Sequence, residues 1–129
     1  MKFLRSIYNL VGCLDYLPAT VAATLLGGAA GGEGSAPRLG VAALSNLLLF
    51  SFAVIYQKIE NAPMEAAQAN GKGRNPIASG EVSIRFARAF SAVVVLVCLA
   101  LAALLGPLII VLELLGVLIA ITLSYRGLN

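Results

Sequence analysis

No histidine occurs in the 129 residues, which excludes imidazole catalysis and imidazole-held metals. There are two cysteines, Cys13 and Cys98, each inside its own apolar stretch with no second ligand beside it. Neither a disulfide framework nor a metal site is supported by that spacing. Charge is scarce too: 12% of the residues are charged, against roughly 25% in an average soluble domain. Any chemistry therefore falls to carboxylates, lysine, arginine, tyrosine, serine or a bound cation. The nine basic residues do not cluster with stacking aromatics and stand mostly near the ends of apolar runs, so the net charge of +3 is no nucleic-acid signal.

What the chain has instead is apolar length. With 60% hydrophobic residues it reads as an all-α membrane protein, a single membrane domain over residues 1–129. Four transmembrane helices are expected, at about 7–30, 39–57, 84–105 and 108–125, joined on one side by a cytoplasmic loop over 58–83. Stretches such as VVVLV and LIIVL are read as helices because a lone pair of strands cannot span lipid with unpaired edges. Pro18 is expected to kink the first helix, since its ring removes a backbone donor. The glycine-rich run from Gly27 to Arg38 is expected to stop it. The apolar start is longer than a signal-peptide core of about 7–15 residues, so it reads as a retained span.

Lysine and arginine set the expected orientation. With the N-terminus in the cytoplasm, Lys2, Arg5, Lys58, Lys72, Arg74, Arg85, Arg88 and Arg126 all lie inside and only Arg38 lies outside. The protein is thus expected to be integral and multi-pass, with both termini cytoplasmic. Arg85 and Arg88 open the third segment, where their stems can reach back to the headgroups.

The stretch Gln57–Ser83 separates the two pairs of apolar segments and holds six of the fifteen charged residues. Its run Arg-Asn-Pro-Ile-Ala-Ser-Gly-Glu-Val-Ser, Arg74 to Ser83, resembles the first cytosolic loop of the UbiA-type intramembrane prenyltransferases. The resemblance spans nearly all of this chain and only the N-terminal half of the family's helical fold. It continues at Ser124-Tyr125, similar to the Tyr-Ser pair closing the family's fourth helix but in reversed order. In that family an aspartate-rich motif, Asn-Asp-x-x-Asp-x-x-x-Asp, holds Mg²⁺ against an isoprenoid diphosphate, whose charge must be neutralised before it can leave.

Carried onto this sequence, the motif falls on Gln57, Lys58, Asn61 and Glu65. Positions 58, 61 and 65 share one helix face, which offers a cation, an amide and one carboxylate in place of three carboxylates. Lys58 would oppose a Mg²⁺ beside it. Glu60 points about 100° around the helix from Asn61 and rescues the site poorly. The resemblance implies diphosphate-binding roles for Lys72 and Arg74, and arginine can grip phosphate in a two-pronged way; Lys72 reads more simply as an ordinary inside charge, and Arg74 reads equally as either. Ser79 or Ser83 is expected to cap the next helix. No resident cofactor is expected, with Mg²⁺ entering only if a partner chain restores the carboxylates.

Three polar residues stand inside apolar segments: Asp15, Asn46 and Glu113. A lone carboxylate in a bilayer costs several kcal/mol, so such groups face a bundle interior, a wet cavity or a partner. The depths of Asp15 and Glu113 differ by only about 6 Å, close enough for one polar pocket if their helices adjoin. Asp15 reads equally as part of a polar cavity wall or partner contact and as a protonated carboxyl bonded to a backbone carbonyl, and Glu113 reads more simply as the latter. Asn46 reads most simply as an interhelical hydrogen-bonding residue.

Three functions follow. The first is a degenerate UbiA-type homologue without catalysis, acting as an accessory or structural membrane subunit or binding an isoprenoid lipid. The second is one half of a split, Mg²⁺-dependent prenyltransferase completed by a partner chain. The third is an unrelated small membrane scaffold protein. The expected partners are the lipid bilayer and other membrane subunits or a second copy, with no nucleic acid.

Overall fold

A computed structural model describes residues 2–12, 16–32, 34–67 and 75–124. They form five helices: α1 (Lys2–Val11), α2 (Leu17–Ala30), α3 (Ala36–Ala67), α4 (Ile84–Leu105) and α5 (Pro107–Ser124). Of these, α3, α4 and α5 are long and apolar enough to cross a membrane. The fold is that of a helical membrane protein.

The first apolar segment is two helices, not one. Gly12 takes the left-handed conformation at φ +60°, which glycine alone adopts without a Cβ penalty, and its N–H closes α1 on the Tyr8 carbonyl at 2.7 Å. Pro18 does not kink a running helix. It sits in the first turn of α2, where no intrahelical acceptor exists for the donor it lacks. At 14 residues α2 is about 21 Å long, short of the ~30 Å hydrocarbon core. It ends, as the glycine run implied, at Ala30, with Gly31 as its C-cap.

The second segment is longer than its apolar part. Helix α3 has 32 residues and continues ten beyond Gln57, through Pro63, into the polar stretch. A chain reversal follows over residues 75–83, after which the Ser83 hydroxyl accepts the Phe86 N–H at 3.1 Å and starts α4. Between α4 and α5 stands a single residue, Gly106.

Helix α3 is the hub, touching each of the other four. Its buried stripe, Ser45, Phe52, Ile55, Ile59 and Ala62, faces the stripe Ala87, Ser91, Val94, Cys98 and Ala102 of α4. Both stripes step by three, four or seven residues, the spacing of one helix face. Small side chains dominate the α4 stripe because lipid tails are as apolar as leucine, which leaves close packing and hydrogen bonds to hold helices together. Gly116 of α5 serves the same end: a Cβ there would come within 2.8 Å of a Leu49 methyl. The apolar stretch of α5 is only 6% buried, and Glu113 is its one buried residue.

Two contacts fix the antiparallel register of α3 and α4. Arg38 donates to the Leu105 carbonyl at 3.0 Å and Ser45 to the Cys98 carbonyl at 3.2 Å, so seven residues on α3 match seven on α4. Continued for thirteen more, the same register sets Lys58 level with Arg85. The twenty residues between these two levels span about 30 Å at 1.5 Å each, the thickness of a bilayer core.

Candidate functional site

The residues onto which the aspartate-rich motif is carried lie on α3 toward its polar end, with Gln57 exposed and Lys58, Asn61 and Glu65 half-buried. Lys58 turns toward α1. Its ammonium donates to the carbonyls of Asn9 and Leu10, the latter at 2.8 Å. These are carbonyls of the last turn of α1, where intrahelical donors run out and the helix dipole is negative. A cation is the natural partner there and a carboxylate would be repelled.

The reversal after α3 is also built for structure. Asn75, 2% exposed, donates through its amide nitrogen to the Lys58 carbonyl at 2.9 Å and accepts the Ile77 N–H through its amide oxygen at 3.1 Å. That second bond is an Asx turn, which lets a short polar side chain stand in for backbone. The Ser79 and Val82 N–H groups close the reversal on the Asn75 and Pro76 carbonyls, each at 3.1 Å, and the Ser79 hydroxyl donates to the Pro76 carbonyl at 3.1 Å. Of the two serines expected at the helix start, Ser83 caps α4 and Ser79 belongs to the turn. Lys72, Arg74 and Asp15 lie outside the described residues.

A second polar group is buried between the spans. Glu113 of α5 accepts the Ser45 hydroxyl of α3 at 3.1 Å on Oε1, and the Cys98 thiol of α4 at 3.4 Å on Oε2. Ser45 is fully buried, Cys98 likewise, and Glu113 is 5% exposed. Both donors have backbone acceptors as well: Ser45 reaches the Cys98 carbonyl at 3.2 Å, and Cys98 the Ser45 carbonyl at 3.4 Å. Three helices thus meet at one carboxyl, about 10 Å inward from the Arg38 level by the seven residues between Arg38 and Ser45. Its partners are a hydroxyl and a thiol from two other helices.

A third polar line joins α2 to α3. Asn46 donates to the Thr24 hydroxyl at 2.9 Å, and Thr24 in turn donates to the Thr20 carbonyl of its own helix at 2.9 Å. Thr24 and Asn46 line a groove of about 290 Å³ whose walls include Gly27, Gly28 and Ile109. Nearer the Lys58 end, the Tyr16 hydroxyl stands 2.9 Å from the Ser51 hydroxyl and donates to the Val11 carbonyl at 3.0 Å. Every buried side-chain nitrogen and oxygen among the described residues has a hydrogen-bond partner, as a water-poor interior requires.

Ser45, Cys98, Tyr16 and Ser51 were missed by sequence reasoning. The available signal was the helix-face spacing that aligns Ser45 with Phe52 and Ile55, and Cys98 with Val94 and Ala102, combined with a nearby carboxyl in need of donors. Among the described residues no three His, Cys, Asp or Glu side chains come together to hold a metal ion. Comparison with protein-family models, characterised proteins and solved structures finds no match to this chain.

Proposed function

We propose that this chain is a non-catalytic accessory or structural membrane subunit, related to the N-terminal half of the UbiA-type prenyltransferases. The observation that carries the reading is the engagement of Lys58. The motif position where that family keeps its first metal-binding aspartate has a lysine whose ammonium is bound to the end of α1. A cation so held does the work of a helix cap and opposes a divalent ion.

Four crossings belong to the same proposal. Tyr16 lies level with Ser51, seven residues or about 10 Å short of the Lys58 level. Helix α2 makes the first crossing, and both termini lie on the side where lysine and arginine accumulate. The largely lipid-facing surface of α5 offers room for partner subunits. In the lipid-binding form of the proposal an isoprenoid tail lies in the groove beside Gly27. A Cβ at Gly27 meets nothing within 4 Å, so Gly27→Ala adds a methyl beside the groove without a clash.

Native mass spectrometry of the protein released gently from its own membrane tests the reading. The expected result is co-purification with other membrane subunits and no Mg²⁺-dependent consumption of an isoprenoid diphosphate. Co-purification with an aspartate-rich membrane chain, with prenyl transfer by the pair, would establish the split enzyme instead. A monodisperse monomer in mild detergent would contradict both.

A further inference from the structure

Helix α1 is tied to α3 at Lys58 and to the first turn of α4. Its C-terminal end is held by Lys58 of α3, and near its N-terminal end the Phe3 ring meets the Phe86 ring of α4 edge-on at 5.8 Å. The register of α3 and α4 puts Lys58 level with Arg85, one residue from Phe86. Both ends of α1 are therefore tied near one depth. That depth is the level about 30 Å from Arg38, where hydrocarbon gives way to headgroups.

Three faces of α1 differ. Leu10 is fully buried and Ile7 and Val11 are half-buried against the bundle. Leu4 and Tyr8, one turn apart, are 64% and 46% exposed, an apolar strip that no described residue covers. Lys2, Arg5 and Asn9 form an exposed polar strip on the remaining side. Lys2 and Arg5 line an open cleft of about 600 Å³ with Ser6, Asn9 and Glu81, and the first turns of α4 add exposed Arg85 and Arg88. The carboxylate in the cleft, Glu81, accepts a hydrogen bond from the Ser6 hydroxyl at 3.4 Å. Two cations and one carboxylate line the cleft, and Arg85 and Arg88 add exposed positive charge at the start of α4.

We propose that α1 is an interfacial anchor whose Leu4–Tyr8 strip beds into the leaflet while Lys2 and Arg5, with Arg85 and Arg88, gather anionic phospholipid headgroups. An interfacial helix with an apolar strip and a basic flank binds by both means, apolar burial and attraction to anionic lipid. The inference rests on α1 and its seat on the spans, and stands apart from the accessory-subunit reading.

The chain contains no tryptophan, so Tyr8→Trp in the full-length protein provides a single fluorophore on the strip, and Leu4→Trp a second, independent one. Each variant is reconstituted into phosphatidylcholine vesicles in which a minor fraction is brominated phosphatidylglycerol or, separately, brominated phosphatidylcholine. The expected result is blue-shifted emission quenched by both lipids, at least about twofold more by the anionic one. Adding Lys2→Gln and Arg5→Gln is expected to bring the two lipids toward equal quenching while the emission stays blue-shifted. Water-like emission, unquenched in both tryptophan variants, would overturn the proposal. Equal quenching by the two lipids with Lys2 and Arg5 intact would overturn it as well.

Discussion

Polar side chains work at two depths in this protein, around Lys58 at one membrane surface and around Glu113 between the spans. The comparison shows what a charged residue can be taken to mean. At the surface, a lysine beside helix-end carbonyls is cheap to hold, and a motif-like pattern there takes its meaning from what the side chain binds. Inside, water is not on offer and each polar atom needs a protein partner. There the partners themselves, Ser45 and Cys98, show how three helices are pinned together.

The interior region can be broken most sharply by stranding its carboxyl. Ser45→Ala with Cys98→Ala removes both donors to Glu113, and we expect a loss of about 1–3 kcal/mol in detergent-based unfolding. Glu113→Leu is expected to cost less, under about 1.5 kcal/mol, because Ser45 and Cys98 keep the backbone acceptors they already share. Combining all three substitutions should recover most of the loss. A triple variant as unstable as the sum of its parts would mean that the cluster is not a coupled unit.

At the surface, Lys58→Met removes the cation from the end of α1, and we expect a loss of up to about 2 kcal/mol, read as faster amide exchange in residues 2–11. Exchange unchanged in α1 would show that Lys58 does not hold it. The smallest effect is expected at the α2–α3 contact, where Asn46→Leu removes the bond to Thr24. Interhelical bonds of this kind average about 0.6 kcal/mol in membrane proteins. A loss several times larger would mark the line from Thr24 to Asn46 as a principal tie.

The same contrast explains how far the sequence was legible. The apolar segments at 39–57, 84–105 and 108–125 fall on α3, α4 and α5 because length and hydropathy alone demand helix there. The first segment hid a break, since a hydropathy average does not register one left-handed glycine at Gly12 or separate an amphipathic α1 from an apolar α2. The extension of α3 through Pro63 was equally hidden, because helix content outside the apolar span is set by what that helix packs on. Ala62, on the turn before Pro63, is buried. Glu113 stood out as a charge in an apolar run, but its partners depend on the α3–α4 register, which a single sequence does not display. Lys58 stood out as a cation in a motif-like stretch, and its bonds to the end of α1 could be seen only with the position of α1.

The central claim is that the face carrying Lys58 holds the fold together and does not assemble a metal–diphosphate site. Thermal unfolding of Lys58→Asp, with and without Mg²⁺ and an isoprenoid diphosphate, tests it most directly. The account predicts a protein destabilised by about 2 kcal/mol, with no recovery when either ligand is added, because a carboxylate now faces the carbonyls of Asn9 and Leu10. Undiminished stability, or a Mg²⁺-dependent rise in the unfolding temperature with diphosphate present, would contradict it.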